Sequence, residues 1–184
     1  MEKEENIGLS QTEADKLLMM PKKVVLKDKQ VDIITLDFNK GNDIRWNLSG
    51  YDNMGNEHSF LLRIQKSSKI RIKVTLHHQE SDSNFCLIRV DFNGSHHTNP
   101  SEVAASVPAK MKKYAGCILK ENHIHYHVEG YKSAAWALPI DDDDFAIKEL
   151  NFANYNATVI KILEELSKVI NLETKITYAT TLNF

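Results

Sequence analysis

Three histidines at every second position, His123, His125 and His127, stand in the segment His123-Ile-His-Tyr-His127, and His96-His97 echoes them upstream. Side chains alternate between the two faces of a strand. The three imidazoles would therefore form one row, with Ile124, Tyr126 and Val128 facing the other way. Five of the chain's eight histidines lie in these two segments, which makes the row the first candidate for chemistry. Imidazole titrates near neutrality, so such a row can move protons; it can also ligate a metal or contact a phosphate.

Each of those chemistries needs companions. Two histidines at i and i+2 of a strand can supply two ligands of a zinc site, with His96, His97 or Glu129 as a third. Cysteines at zinc-knuckle spacing are absent and no acidic ligand is evidently placed, so the sequence reading assigns no metal and no cofactor. A metal-independent ribonuclease instead needs a base, an acid and a cation; His97, His123 and His125 are the candidates for the first two roles. Lys69, Arg71 and Lys73, with Arg63 and Lys66 near them in sequence, offer the cation. The ordinary alternative is that these are solvated polar strand faces. Tyr126, Tyr131 and Trp136 follow the histidines; Trp136 is expected to close the core, and Tyr131 is kept as a binding residue. Asp141, Asp142, Asp143 and Asp144 form a run expected on an exposed loop, where it could mimic phosphate and bind a partner. No Gly-rich phosphate loop, Gly-x-Ser-x-Gly elbow or Cys–His pair at known spacing occurs, which argues against kinase, classical hydrolase and dinucleotide-binding readings.

The chain around these residues has 184 positions, of which 42% are hydrophobic and 26% charged, as expected of an ordinary globular protein. The length suits one domain over 1–184. A formal charge of −2 supplies no global basic field, so any nucleic-acid contact must come from a local patch. Two cysteines, Cys86 and Cys117, are too few for a disulfide framework. The N-terminus lacks a secretory pattern and no apolar stretch approaches the roughly 20 residues of a membrane span, so the expectation is a cytoplasmic protein.

Periodicity then positions the candidates. Ser10-Gln-Thr-Glu13 is a capping box that starts a short helix stopped by Pro21, giving an N-terminal helical segment over 1–21. From Val24 to Phe92 the period is 2, with strands expected over 31–38, 44–51, 58–64, 70–76 and 85–92. Turns fall at 39–42, 52–56 and 67–68. Ile70, Ile72, Val74 and Leu76 should face in while Lys69, Arg71 and Lys73 face out. Segment 93–120 is irregular, with one or two helical turns near Pro108–Tyr114; the histidine strand closes a β-rich core over 22–140. Residues 141–184 should hold an amphipathic helix capped at Asn154 or Asn156, then an edge strand from Lys175. Its apolar stripe is Val159, Ile160, Leu163, Leu166, Val169 and Ile170. The fold class is α+β: an antiparallel meander, as a twisted sheet or a partly open small barrel, with the N-terminal and C-terminal helices packed on it.

The segments Leu87-Ile-Arg-Val-Asp-Phe-Asn-Gly, His97-Thr-Asn-Pro100, His123-Ile-His-Tyr, Glu129-Gly-Tyr131 and Trp136-Ala137 resemble an uncharacterised bacterial and prophage family. The opening Leu9-Ser-Gln-Thr-Glu-Ala-Asp-Lys-Leu-Leu is also similar to that family's N-terminal helix. This chain departs in a longer Ala/Lys-rich segment after His97 and in carrying His127 at a less polar position, which sets His97, His123 and His125 ahead of His127. The resemblance implies a coherent site without naming its chemistry, and its scatter among chromosomes, prophages and plasmids suggests phage–host conflict. Two functions follow as expectations. One is an anti-CRISPR-like inhibitor that binds a protein or nucleoprotein effector. The alternative is a toxin-type, histidine-dependent, metal-independent endoribonuclease acting on RNA. A metal-dependent hydrolase or metal sensor is a third. No membrane partner is expected. The acidic balance favours the inhibitor, because unaided grip on RNA usually takes more positive charge.

Overall fold

A computed structural model describes residues 8–38, 41–67 and 73–179. Ser10 caps α1 (Gln11–Met19): its side chain accepts the Glu13 amide while the Glu13 carboxylate accepts the Ser10 amide, the reciprocal box that the sequence predicts. The chain then enters β1 (Lys22–Leu26) and turns back into β2 (Lys29–Val31). Lys27 and Asp28, the two turn residues, both have positive φ (49° and 60°), the backbone that lets a two-residue hairpin follow the twist of its strands.

That hairpin corrects the expected 31–38 strand. Val31 pairs with Val24 in β2, and the chain leaves the sheet at Asp32. β3 (Ile33–Leu36) then lies parallel to β12 (Lys175–Tyr178) as a separate two-stranded sheet. β4 (Asp43–Tyr51), β5 (Glu57–Ser67), β6 (Lys73–Glu80) and β7 (Cys86–Phe92) form the expected meander. Val74 and Leu76 are buried as expected, whereas Ile70 and Ile72 lie outside the described residues.

After β7 the chain makes a long excursion through β8 (His97–Thr98), α2 (Ala109–Lys112) and β9 (Ile118–Leu119). It returns beside β7 as β10 (His123–Tyr126), followed by β11 (Trp136–Pro139). The eight-stranded order is β11-β10-β7-β6-β5-β4-β1-β2, with every pairing antiparallel. The sheet is not closed: β11 and β2 are its two edges.

Register decides the two faces. Ile44, Ile64, Leu76, Val90, Ile124 and Leu138 form one cross-strand row, and Trp46, Leu62, His78, Ile88, Tyr126 and Trp136 form the next. Most of these are fully buried. α3 (Tyr155–Val169) contributes Val159, Ile162, Leu163 and Leu166 to the same core. Of the stripe read from the sequence, Val159, Leu163, Leu166 and Ile170 are buried and Ile160 and Val169 half-buried, while Ile162, outside that stripe, is fully buried. Asn154 holds the N-cap position but forms no side-chain cap; Asn151 caps the preceding short 3-10 turn, Phe152–Asn154, instead.

Candidate functional site

The opposite face of the sheet is polar, because alternation places there every residue that the core rows skip. One row runs Arg45, Arg63, His77, Arg89, His125 across five strands, and the row beside it runs Asp43, Gln65, Thr75, Asp91, His123. On the β4–β6 side these rows line a cleft of about 240 Å³ walled by Arg45, Arg63, Gln65, Thr75, His77 and Arg89. The charges there are matched in part. Asp43 accepts two hydrogen bonds from Arg63 (both 2.7 Å) and one from Arg45 (3.2 Å), which hold its carboxyl far below the usual range.

Toward β10 the face closes over a histidine cluster. His97 lies with its ring centroid 4.5 Å from that of His125 and 5.9 Å from that of His123, and the latter two are 5.1 Å apart. Asp91 reaches them from β7, its Oδ2 at 3.4 Å from His125 Nε2 and 3.7 Å from His123 Nε2. Thr75 donates its hydroxyl to Asp91 Oδ1 at 2.5 Å, and Arg89 Nε stands 2.7 Å from Oδ2. Asp91, His123 and His125 are 1%, 2% and 3% exposed, so this is an interior cluster and not a rim.

Main-chain carbonyls set the rings. His123 Nδ1 is 2.8 Å from the Glu121 carbonyl, His125 Nδ1 is 3.0 Å from that of Ala134, and His97 Nε2 is 3.0 Å from that of Ala135. A carbonyl only accepts, so each of these nitrogens carries its ring's hydrogen. Ala134 has φ +55°, a left-handed turn at the approach to β11, where two successive carbonyls meet two histidines. Burial pushes His125 down to about 4 against the opposing pull of Asp91, and burial likewise lowers His97. Burial alone would raise the Asp91 carboxyl; the Arg89 guanidinium and the Thr75 hydroxyl hold it below its ordinary value instead.

Asn99 of the His97-Thr-Asn-Pro100 segment is the keystone of the excursion. Its side chain accepts the Ala137 amide (2.9 Å) and donates to the carbonyls of Ala137 (2.8 Å) and Tyr114 (3.1 Å), standing in for a strand along the free edge of β11. Asn99→Ala would orphan the buried amide and carbonyl of Ala137, while the Tyr114 carbonyl keeps the Cys117 amide. Each such group costs about 1–3 kcal/mol when left bare. We expect a loss of about 2–4 kcal/mol in denaturant unfolding, partly offset by water entry, together with faster amide exchange at Ala137.

The structure brings His97, His123 and His125 together as the sequence reading expects, with Tyr126 on the opposite face. The Tyr126 hydroxyl donates to Asp143. His127 lies apart: it is buried against Phe85 and hydrogen-bonds the Leu9 carbonyl, tying the end of β10 to the segment that leads into α1. Lys69 and Arg71 lie outside the described residues. Lys73 starts β6 on the polar face, in line with Thr75 and His77. Tyr131 donates its hydroxyl to the Glu102 carbonyl, accepts the Ala104 amide and packs edge-on against the fully buried Trp136.

The four aspartates are less uniform than a solvated run. Asp141, Asp142 and Asp144 are exposed, but the Asp143 side chain is enclosed between Tyr126 and Lys110, and Asp142 binds Lys113 and the Tyr114 hydroxyl. Arg45, His77, Arg89 and Asp91 are site residues that the sequence reading did not select. A signal for two of them was present: Arg89 and Asp91 are polar positions alternating with Ile88, Val90 and Phe92 in an otherwise apolar strand.

Comparison with family models places residues 9–172 within one model. The chain belongs to the family of unknown function DUF6978. The match takes in α1, the whole eight-stranded sheet, the histidine cluster and α3, so the site described here lies inside the family region. No curated protein and no solved structure matches the chain. Among the described residues, no helix is long and apolar enough to cross a membrane.

Proposed function

We propose that this protein acts by binding, and that it engages a nucleoprotein through the open polar face of its sheet. The arginine row carries the reading: Arg45, Arg63 and Arg89, with His77 among them, line one cleft and offer guanidinium donors suited to phosphate. Each arginine is already matched with Asp43 or Asp91, so the unbalanced charge is small. Grip on free RNA rests on neutralised phosphates, so a face of this kind needs further contacts from a protein component. Inhibition of such an effector, of the anti-CRISPR kind, is the biological form we give to that binding, on the small size and acidic balance of the chain.

The endoribonuclease remains the second reading, favoured by the convergence of His97, His123 and His125 at the end of the arginine row. Burial weighs against it. A general base must come within hydrogen-bond reach of the proton it removes, and His125 Nε2 is sealed from solvent.

Fluorescence anisotropy with a labelled single-stranded RNA, followed by gel analysis of the same RNA, separates the two. We expect weak, salt-sensitive binding without cleavage. Arg45→Gln and Arg63→Gln should each reduce the slope of log affinity against log salt by about 0.7. Binding unchanged in both variants, or no binding at all, would overturn the reading. RNA cleavage abolished by His123→Ala would replace it with the nuclease.

A further inference from the structure

The buried histidine cluster contains an unresolved conflict of lone pairs. His123 and His125 spend their Nδ1 hydrogens on the carbonyls of Glu121 and Ala134, so each neutral ring presents a bare Nε2. Both Nε2 atoms point at Asp91 Oδ2, itself an acceptor, at 3.7 and 3.4 Å. His125 Nε2 and Asp91 Oδ2 are buried without a hydrogen-bond partner. Arg89 offsets the carboxylate charge from beside it, but it gives no hydrogen to the imidazole. Two imidazole acceptors facing a carboxylate oxygen, with Arg89 beside the carboxylate alone and no donor turned to either ring among the described residues, is an arrangement that a cation between them would relieve.

We propose that Asp91, His123 and His125 bind a divalent transition-metal ion of the zinc class. The proposal rests on this geometry and does not depend on the RNA-binding reading. The three ligand atoms lie within 4.8 Å of one another. Bonds of about 2.0–2.1 Å in tetrahedral array would set ligand atoms about 3.3 Å apart, close to the separations from Asp91 to each imidazole. Imidazole and carboxylate without thiolate suit Zn²⁺, with Co²⁺ as its spectroscopic substitute.

The surroundings are those of a metal centre too. Ligand imidazoles usually donate their second nitrogen to a carbonyl, and ligand carboxylates are themselves hydrogen-bonded; here the Glu121 and Ala134 carbonyls and the Thr75 hydroxyl supply both. Three protein ligands would leave a fourth position for water. The His97 ring lies 4.5 Å from that of His125, its Nε2 committed to Ala135.

The test is to strip the protein with a chelator, dialyse it, and titrate the full chain with ZnCl₂ calorimetrically, with elemental analysis of the product. We expect one zinc per chain, a rise in melting temperature, and a visible absorption band of tetrahedral character with Co²⁺. His123→Gln, His125→Gln and Asp91→Asn should each weaken zinc binding by about a hundredfold or more, beyond the loss typical of a supporting residue. His58→Gln, at a surface histidine remote from the cluster, should not. Absence of stoichiometric zinc and of the cobalt band in the wild-type protein would overturn the proposal without recourse to any variant. Zinc uptake retained by folded His123→Gln and His125→Gln proteins would overturn it as well. RNA binding is measured separately on the arginine variants, so either conclusion can fail alone.

Discussion

Replacing Lys22 by methionine is expected to lower stability by about 2–5 kcal/mol, because bare buried carbonyls would be left behind. Lys22 begins β1 with its side chain 1% exposed, and its Nζ lies 2.9, 3.0, 2.6 and 2.7 Å from the carbonyls of Leu17, Leu18, Met20 and Ile170. Those oxygens belong to the C-terminal ends of α1 and α3, where carbonyls lack helical partners and the helix dipole is negative. One ammonium thus joins two helices to the sheet, with the Phe60 ring 4.8 Å away. Methionine fills much of the volume but donates nothing, and bare buried carbonyls cost about 1–3 kcal/mol each, less whatever water can reach.

Burial pushes the Lys22 ammonium down to about 7. A lysine lowered in the folded state binds fewer protons there than in the unfolded chain between that value and about 10.4. Stability carried by this group should therefore rise with pH from about 7 to about 10 and stay flat below. Urea melts of wild type and Lys22→Met across that range check both points. Equal stability of the two proteins at pH 7, or the same alkaline rise in both, would refute the role.

Leu163→Ala is expected to cost about 2–5 kcal/mol, the range for deleting a fully buried leucine side chain. Leu163 is completely enclosed, and with Val159, Ile162 and Leu166 it forms the apolar side of α3 that lies in the core of the eight-stranded sheet. The cavity left behind adds to the lost transfer free energy. Chemical denaturation measures it. A loss under about 0.5 kcal/mol, the size of a surface substitution, would show that the stripe meets a partner instead of the sheet.

Much of the architecture was legible because its causes are local. The capping box needs only Ser10 and Glu13, three residues apart. Alternation along β10 placed His123 and His125 together and Tyr126 opposite without any knowledge of neighbours. The α3 stripe follows from a period of 3.6, and the misplacement of Ile160 for Ile162 is an error of phase within an otherwise correct helix.

What the sequence could not determine depends on contacts between distant segments. β3 leaves the meander because its parallel partner β12 lies more than 140 residues further on, a pairing with no local signature. The sheet stays open because the chain leaves after β7 and Asn99 covers the edge of β11 with side-chain hydrogen bonds, which strand counting does not register. The histidine row was visible by itself; the carboxylate that completes it was not. Asp91 meets His123 only because β10 pairs with β7 in one register across a thirty-residue excursion, and a slip of β10 by one residue would have turned His123 and His125 toward the core. Residue types and alternation thus determined which side chains share a face. Long-range strand pairing decided which of them meet, and so turned a polar row into a buried Asp–His–His centre.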